Sequence, residues 1–280
     1  MNLILGTAQL SLPYGVLCDS AAARGQDPVE LVRDAVAAGF VALDTAPAYG
    51  RAENLIGVSN VKCAVHTKLD PAMQPSESLA ASLRRLKRDS VDVVYLHDPD
   101  AATRDGGSAV ARARSLVGSG AERLGLSVYT EEALLAGVSN PLVDVIQIPV
   151  SPVDTRLYRL ALRLRNREVA FVGRSLLAQG LLVSNPRLVP THLPSLKLAI
   201  EVFQRLSGEF GLSSIQLAAR WAQSLPGLSG IVIGLASNNQ LQEYTEALSA
   251  QPLDERLLEK LTQLPYVPPE ESDARNWRRN

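Results

Sequence analysis

Residues 76–97 read SESLAASLRRLKRDSVDVVYLH. Leu79, Leu83 and Leu86 recur at helical spacing, which predicts a helix over 76–88 with Ser76 as its cap. Val91 to Leu96 is a short run rich in β-branched residues, which predicts a strand, and the polar His97 follows it. A helix thus feeds a strand whose far end carries a polar side chain, and this unit recurs in both directions. Upstream, strands are expected at 3–7, 40–44 and 61–67. A helix is expected over 28–38, with Asp27 as N-cap, Pro28 in its first turn and Gly39 as its stop. A shorter one spans 53–56 and ends at Gly57. Downstream, strands are expected at 121–127, 143–148, 169–173 and 230–234. Helices are expected at 108–117, 131–137, 155–165, 196–209, 213–223 and 239–250, with a long loop over 174–193 and an extra helix over 254–264.

Strict alternation predicts a parallel sheet with right-handed crossovers. Several strands are continuous apolar runs, as strands covered on both faces should be. Eight units of about 35 residues each favour closure into a (β/α)8 TIM barrel, an α/β single domain over 1–264. Residues 265–280 are polar and Pro-rich and read as a surface tail, with the 275–280 run solvated.

The bulk composition excludes other classes. With 46% apolar and 20% charged residues, the chain of 280 is not disordered. A net charge of −1 argues against a nucleic-acid binder. Two cysteines, Cys18 and Cys63, and histidines at 66, 97 and 192 show no metal-ligand spacing, so no metal is expected. There is no signal-peptide pattern and no run of 18 apolar residues, so a cytoplasmic monomer without membrane contact is expected.

In a parallel barrel, chemistry sits at the C-terminal ends of the strands. There the sequence places Asp44, Lys68 and His97, with Tyr49 in the loop after Asp44. Each alone has an ordinary structural explanation: a helix cap, a solvated charge, a loop histidine, a packed ring. Together they make an acid site. A phenol with pKa near ~10 is a poor acid at neutral pH unless a nearby cation favours its anion. A carboxylate can fix that cation, and a histidine can hydrogen-bond a carbonyl oxygen. Such a site suits carbonyl reduction by hydride.

At these residues the sequence resembles the aldo-keto reductase family of NAD(P)H-dependent (β/α)8 barrels. Leu5-Gly-Thr-Ala-Gln9, Asp44-Thr-Ala-Pro-Ala-Tyr-Gly50 with Glu53 and Gly57, Thr67-Lys68 and the 83–97 stretch carry the likeness over nearly the whole chain. The resemblance implies Tyr49 as proton donor, Lys68 lowering its pKa, Asp44 orienting Lys68, and His97 orienting the substrate carbonyl. It also implies cofactor contacts from Gly6, Thr7, Asp44, Ser127 and Gln147, the last two at the carboxamide. Val128 replaces the family's Asn after Ser127. Arg174 stands where many members stack a tyrosine on the nicotinamide, and a planar guanidinium can also stack. The alternative for Arg174 is a salt bridge at the barrel rim. Ser175 and Leu177 would touch the pyrophosphate. Gly234, Ser237, Asn238, Gln240 and Glu243 fall at adenosine-phosphate contacts, and Tyr244 sits where an Asn is common. The basic residues that often grip the 2′-phosphate are missing over 234–243, although Lys197 or the surroundings of Arg174 could compensate. NADPH is the family expectation and NADH the alternative.

The expected substrate is a small polar carbonyl compound, such as a short sugar, an aldose or a pyridoxal-like aldehyde. Aromatics are only 5% of the chain, the 98–107 loop is short and polar, and Tyr14 lies near the mouth. Trp221 reads as packing, and His66 and His192 as structural or exposed. Three rivals stand beside the reductase. One is a barrel aldolase using Lys68 as a Schiff base, which a nearby Asp44 disfavours. Another is a nucleotide-binding regulatory or interaction protein with little turnover. The third is a purely structural barrel.

Overall fold

Apolar strands close in parallel around a barrel, each bonded to the next and the last to the first. They are β1 (Asn2–Gly6), β2 (Ala42–Asp44), β3 (Ala64–Leu69), β4 (Val91–Leu96), β5 (Ala121–Ser127), β6 (Val145–Pro149), β7 (Ala170–Arg174) and β8 (Gly230–Gly234). This computed structural model describes residues 1–15, 21, 25–98, 100–164 and 168–277. Cys18, the expected helix end at Arg165 and the last three residues of the expected tail lie outside the described residues.

The outer layer comprises α1 (Pro28–Ala37), α2 (Ala52–Ser59), α3 (Pro75–Leu86), α4 (Ser108–Arg114), α5 (Glu131–Ser139) and α6 (Arg156–Arg163). It continues with α7 (Pro194–Glu209), α8 (Ser214–Gln223), α9 (Asn238–Ser249), α10 (Glu255–Thr262) and the short α11 (Pro269–Ser272). Asp27 caps α1 as expected, accepting from the Val29 N–H at 2.8 Å. Two local expectations fail. Ser76 does not cap α3, because Pro75 already occupies the first turn, where its fixed φ and missing N–H suit helix entry. Gly57 does not end α2, which runs to Ser59 and closes on a left-handed Asn60. Gly57 instead lets α2 meet α3: a Cβ there would strike the backbone carbonyl oxygen of Arg85. The expected loop over 174–193 also contains two tight turns of 3-10 helix, Ala178–Val183 and Pro186–Leu188.

Most of the core lies between the strands and the helices. A smaller plug of Ile4, Ala42, Val93, Tyr95, Val145 and Val172 fills the barrel. Tyr95 pairs in register with Lys68 on one side and Gly125 on the other. Any side chain at Gly125 would overlap the Tyr95 ring. His66 is buried near this plug, edge-on to Tyr95 at 6.1 Å, and its Nδ1 has no partner.

The segment read as a surface tail is docked on the barrel through residue 277. The Glu271 carboxylate accepts from the N–H groups of Ser195 (2.8 Å) and Leu196 (3.0 Å), supplying the cap that α7 lacks from its own sequence. The Arg156 guanidinium donates to Ser272 Oγ at 2.5 Å. Trp277 is buried and donates Nε1–H to the Glu271 carbonyl at 2.6 Å. Composition suggested solvation, but these polar groups have partners on other elements. Among the described residues, no helix is long and apolar enough to cross a membrane, and no cluster of three or more His, Cys, Asp or Glu could hold a metal.

Burial carries the His66 pKa from 6.5 down to about 4, with Asp44 and Asp92 opposing and Arg123 and Lys68 assisting. The folded state therefore resists a proton that the unfolded chain accepts. Stability is fully present above pH 6.5 and is lost as the pH falls towards 4. Denaturant unfolding should give a midpoint that is level above pH 7 and declines between pH 6.5 and 4, and His66→Gln should make that decline shallower.

Candidate active site

Asp44 ends β2, Lys68 sits near the end of β3, His97 follows β4, and Tyr49 lies in the turn before α2. Alternation along β3 sends Lys68 into the barrel and Thr67 towards the helices. The structure brings the four predicted residues together. Lys68 Nζ donates to Asp44 Oδ1 at 2.5 Å and to the Thr45 carbonyl at 3.0 Å. It lies 5.0 Å from the centre of the Tyr49 ring, and the rings of Tyr49 and His97 stand edge-on at 6.4 Å. Lys68 is only 2% exposed and Asp44 3%, so each charge depends on the other for compensation. The other Asp44 oxygen accepts from Gln147 Nε2 at 2.8 Å, and its backbone carbonyl from Thr7 Oγ1 at 2.9 Å.

Behind β3, Thr67 Oγ1 donates to the buried carboxylate of Glu53 at 2.7 Å, and Arg85 Nε donates to its second oxygen at 2.6 Å. This ties α2 and α3 to the strand that carries Lys68.

His97 is held neutral, its pKa lowered to about 4 by burial and then by Lys68. The Tyr49 phenol is pushed above the ordinary range, first by burial and then by Asp44, while Arg174 pulls it down. The charge of Lys68 is held against Asp44, which itself opposes a phenolate.

A cavity of about 320 Å³ opens over this end of the barrel. Gly6, Thr7, Asp44, Tyr49, Gln147 and Arg174 line it, as do Ser175, Leu177, Gly234 and Gln240. Tyr14 also lines it. Gln147 Oε1 is buried there without a partner, an acceptor suited to a carboxamide N–H. Ser175, Ala178 and Gln179 adopt left-handed φ values of 63°, 47° and 53°. Each costs on the order of 1–2 kcal/mol, and such strain concentrates at ligand-binding segments. A cavity with an unmet amide acceptor beside the acid group fits a nicotinamide cofactor.

Other predicted contacts fall outside the lining. Ser127 is buried in register with Gln147. Ser237 caps α9, while Asn238 Nδ2 donates to Asp34 at 2.7 Å. Glu243 accepts a short hydrogen bond from Ser213 Oγ. Gln240 lines the cavity, but its Oε1 accepts from the Ala236 N–H at 2.8 Å. These groups brace the turn between β8 and α9. Lys197 faces Glu201 on its own helix at 4.0 Å.

Arg174 forms no rim salt bridge among the described residues. It donates to the Val128 carbonyl (3.1 Å) and Ser175 Oγ (3.2 Å), and its guanidinium lies 4.0 Å from the centre of the Tyr129 ring. Arg275 lies 4.5 Å from the same ring. Sequence reasoning missed Tyr129. An aromatic just beyond a strand end was its only signal. It also gave no contact to Gln9 or Tyr244, which line the cavity.

The model of the Aldo/keto reductase family matches residues 2–265. A probable voltage-gated potassium channel subunit beta from Arabidopsis thaliana is 28% identical over 206 residues, 63% of this chain and 62% of that protein. The chain thus spans less than two thirds of that relative's length. L-galactose dehydrogenase from the same plant is 24% identical over 252 residues, 80% of this chain and 78% of that protein. The solved structure of an aldo-keto reductase from Bacillus halodurans, in its holo form, shares the fold with a TM-score of 0.75. It is 19% identical, with 97% of this chain and 95% of that one covered. With its barrel, its grouped Asp44, Tyr49, Lys68 and His97, and this match over nearly the whole chain, the protein belongs to the aldo/keto reductase family.

Proposed function

We propose that the protein is an NADPH-dependent reductase of small polar aldehydes or ketones, with Tyr49 as the proton donor. The observation that carries this reading is the buried Asp44–Lys68 pair beside Tyr49 and a neutral His97, with Asp44 and Tyr49 lining the same cavity as Gln147, whose amide oxygen has no partner among the described residues. Gln147 and Arg174 would hold the nicotinamide end, Ser175 and Leu177 the pyrophosphate, and the turn after Gly234 the adenosine. Bound NADPH would supply the hydride to the carbonyl carbon.

The chain's own residues handle the oxygen. At neutral pH His97 carries no charge, so it can orient a carbonyl oxygen by donating a hydrogen bond but is a scarce acid. Tyr49 keeps its proton in the resting site because burial and Asp44 oppose the phenolate. As negative charge grows on the substrate oxygen, the Tyr49 proton passes to it and the phenolate forms near Lys68 and Arg174, where cations stabilise it. The name of one relative, L-galactose dehydrogenase, supports a small polyhydroxy substrate or product. The Lys68–Asp44 ion pair disfavours the Schiff-base aldolase, which needs a neutral amine.

A second reading is a cofactor-binding regulatory subunit, favoured by the names of the potassium channel relatives. Turnover separates the two.

Fluorescence titration with NADPH and NADH should show saturable binding of at least one, and binding of neither by folded protein would remove the reductase reading. In a screen of small polar aldehydes, Tyr49→Phe should lose activity by orders of magnitude while cofactor affinity changes less than about threefold. Turnover by that variant at the wild-type rate would take Tyr49 out of the acid role. Lys68→Met should also cut the rate by orders of magnitude. Because it leaves Asp44 buried without its cation, calorimetry should further show a stability loss of about 3–5 kcal/mol.

A further inference from the structure

We propose that Arg174 makes the site discriminate between the two redox states of the nicotinamide, holding the reduced form more tightly than the oxidised form. The inference rests on the reading that a nicotinamide cofactor occupies the cavity. It concerns this chain's own charge balance there.

Arg174 ends β7 and lines the same cavity as Tyr49 and Gln147. Its strand runs beside that of Gln147, which pairs with Val172, two residues before Arg174. The guanidinium is fixed in place. Tyr129 packs at 4.0 Å from it, and its nitrogens donate to the Val128 carbonyl and to Ser175 Oγ. Tyr129 is itself packed by Arg275, whose guanidinium is anchored to Asp273 at 2.5 Å. Arg174 is therefore not placed to swing away from an unfavourable neighbour.

Three other cations near the site are each paired with a carboxylate. Lys68 is paired with Asp44 at 2.5 Å, Arg104 with Asp98 at 2.5 Å, and Arg275 with Asp273. His97 is neutral. The groups that Arg174 bonds, a carbonyl and a hydroxyl, carry no charge, and among the described residues no carboxylate pairs with it. One uncompensated positive charge thus stands at the cavity wall.

Reduced and oxidised nicotinamide dinucleotides carry the same phosphates and differ by one positive charge on the ring. Arg174 therefore acts on the phosphates of both forms alike but repels only the oxidised ring. Like charges a few ångströms apart in a partly buried site interact strongly enough to shift relative affinity by tenfold or more, about 1.4 kcal/mol. A neutral tyrosine in this place would exert no such force. The site would load the reduced cofactor and release the oxidised one after turnover.

Equilibrium titration of the full chain tests this without reference to turnover. NADPH is followed by its fluorescence and NADP+ by competition, for wild type, Arg174→Gln and Arg174→Lys. Wild type should bind NADPH at least about tenfold more tightly than NADP+. Arg174→Gln should bring that ratio down about tenfold, and Arg174→Lys should keep most of it. A wild-type ratio near one, or a ratio unchanged within about twofold in a folded Arg174→Gln, overturns the role of Arg174 while leaving the reductase reading intact. If Arg174→Gln does not fold, the wild-type ratio and Arg174→Lys decide. Binding of neither form overturns the reductase reading, and the inference with it.

Discussion

The Asp44 carboxylate is the joint on which the site depends. One oxygen takes Lys68 Nζ, the other Gln147 Nε2, and the backbone carbonyl of the same residue takes the Thr7 hydroxyl. Strands β2, β3 and β6 and the residue that follows β1 thus meet at one residue. A carboxylate that is 3% exposed cannot remain charged without such partners. The same bonds that satisfy it align an ammonium with a phenol and leave one amide oxygen of Gln147 without a partner among the described residues. The requirements of a buried charge and the geometry of the site have a single solution here.

Around that joint the charges are balanced in layers. Glu53, Thr67 and Arg85 settle the outer face of β3 so that its inner face can carry Lys68. His97 is neutral because burial and Lys68 both oppose a second positive charge beside the first. Arg174 has no carboxylate partner among the described residues and is held by a ring, a carbonyl and a hydroxyl. The cavity is therefore electrostatically polarised towards anionic or neutral ligands, and the docked C-terminal segment supports that polarity through Arg275 and Tyr129.

The barrel was legible because its determinants are local. Leu79 and Leu86 lie on one face of a helix whatever follows, and a run such as Val91 to Leu96 extends whatever it pairs with. The grouping of Asp44, Tyr49, Lys68 and His97 was legible for a related reason: parallel strands carry their C-terminal ends to one face, so strand-end position is spatial position. Local reasoning failed where a residue's partner lies far along the chain. Gly57 looked like a stop, but its role is set by the carbonyl of Arg85 on the next helix. The 265–280 segment looked solvated, but Glu271 caps α7 some 76 positions earlier. Ser237, Asn238 and Glu243, read as ligand contacts, also form hydrogen bonds to their own helix, to α1 and to Ser213, which local reasoning did not predict.

The order and kind of the elements, the closure into eight strands, and the four polar groups that the closure collects can all be read along the chain. Those follow from periodicity and from the handedness of strand–helix connections, which act within one unit of the chain. The electrostatics emerge with the folded barrel: which oxygen of Asp44 takes which donor, that Gln147 keeps a free acceptor, that Tyr49 feels Asp44 as well as its cations, and that Arg174 stacks on Tyr129. Coulomb and hydrogen-bond energies depend on distances between residues up to 103 positions apart, and those distances exist only once the barrel has closed.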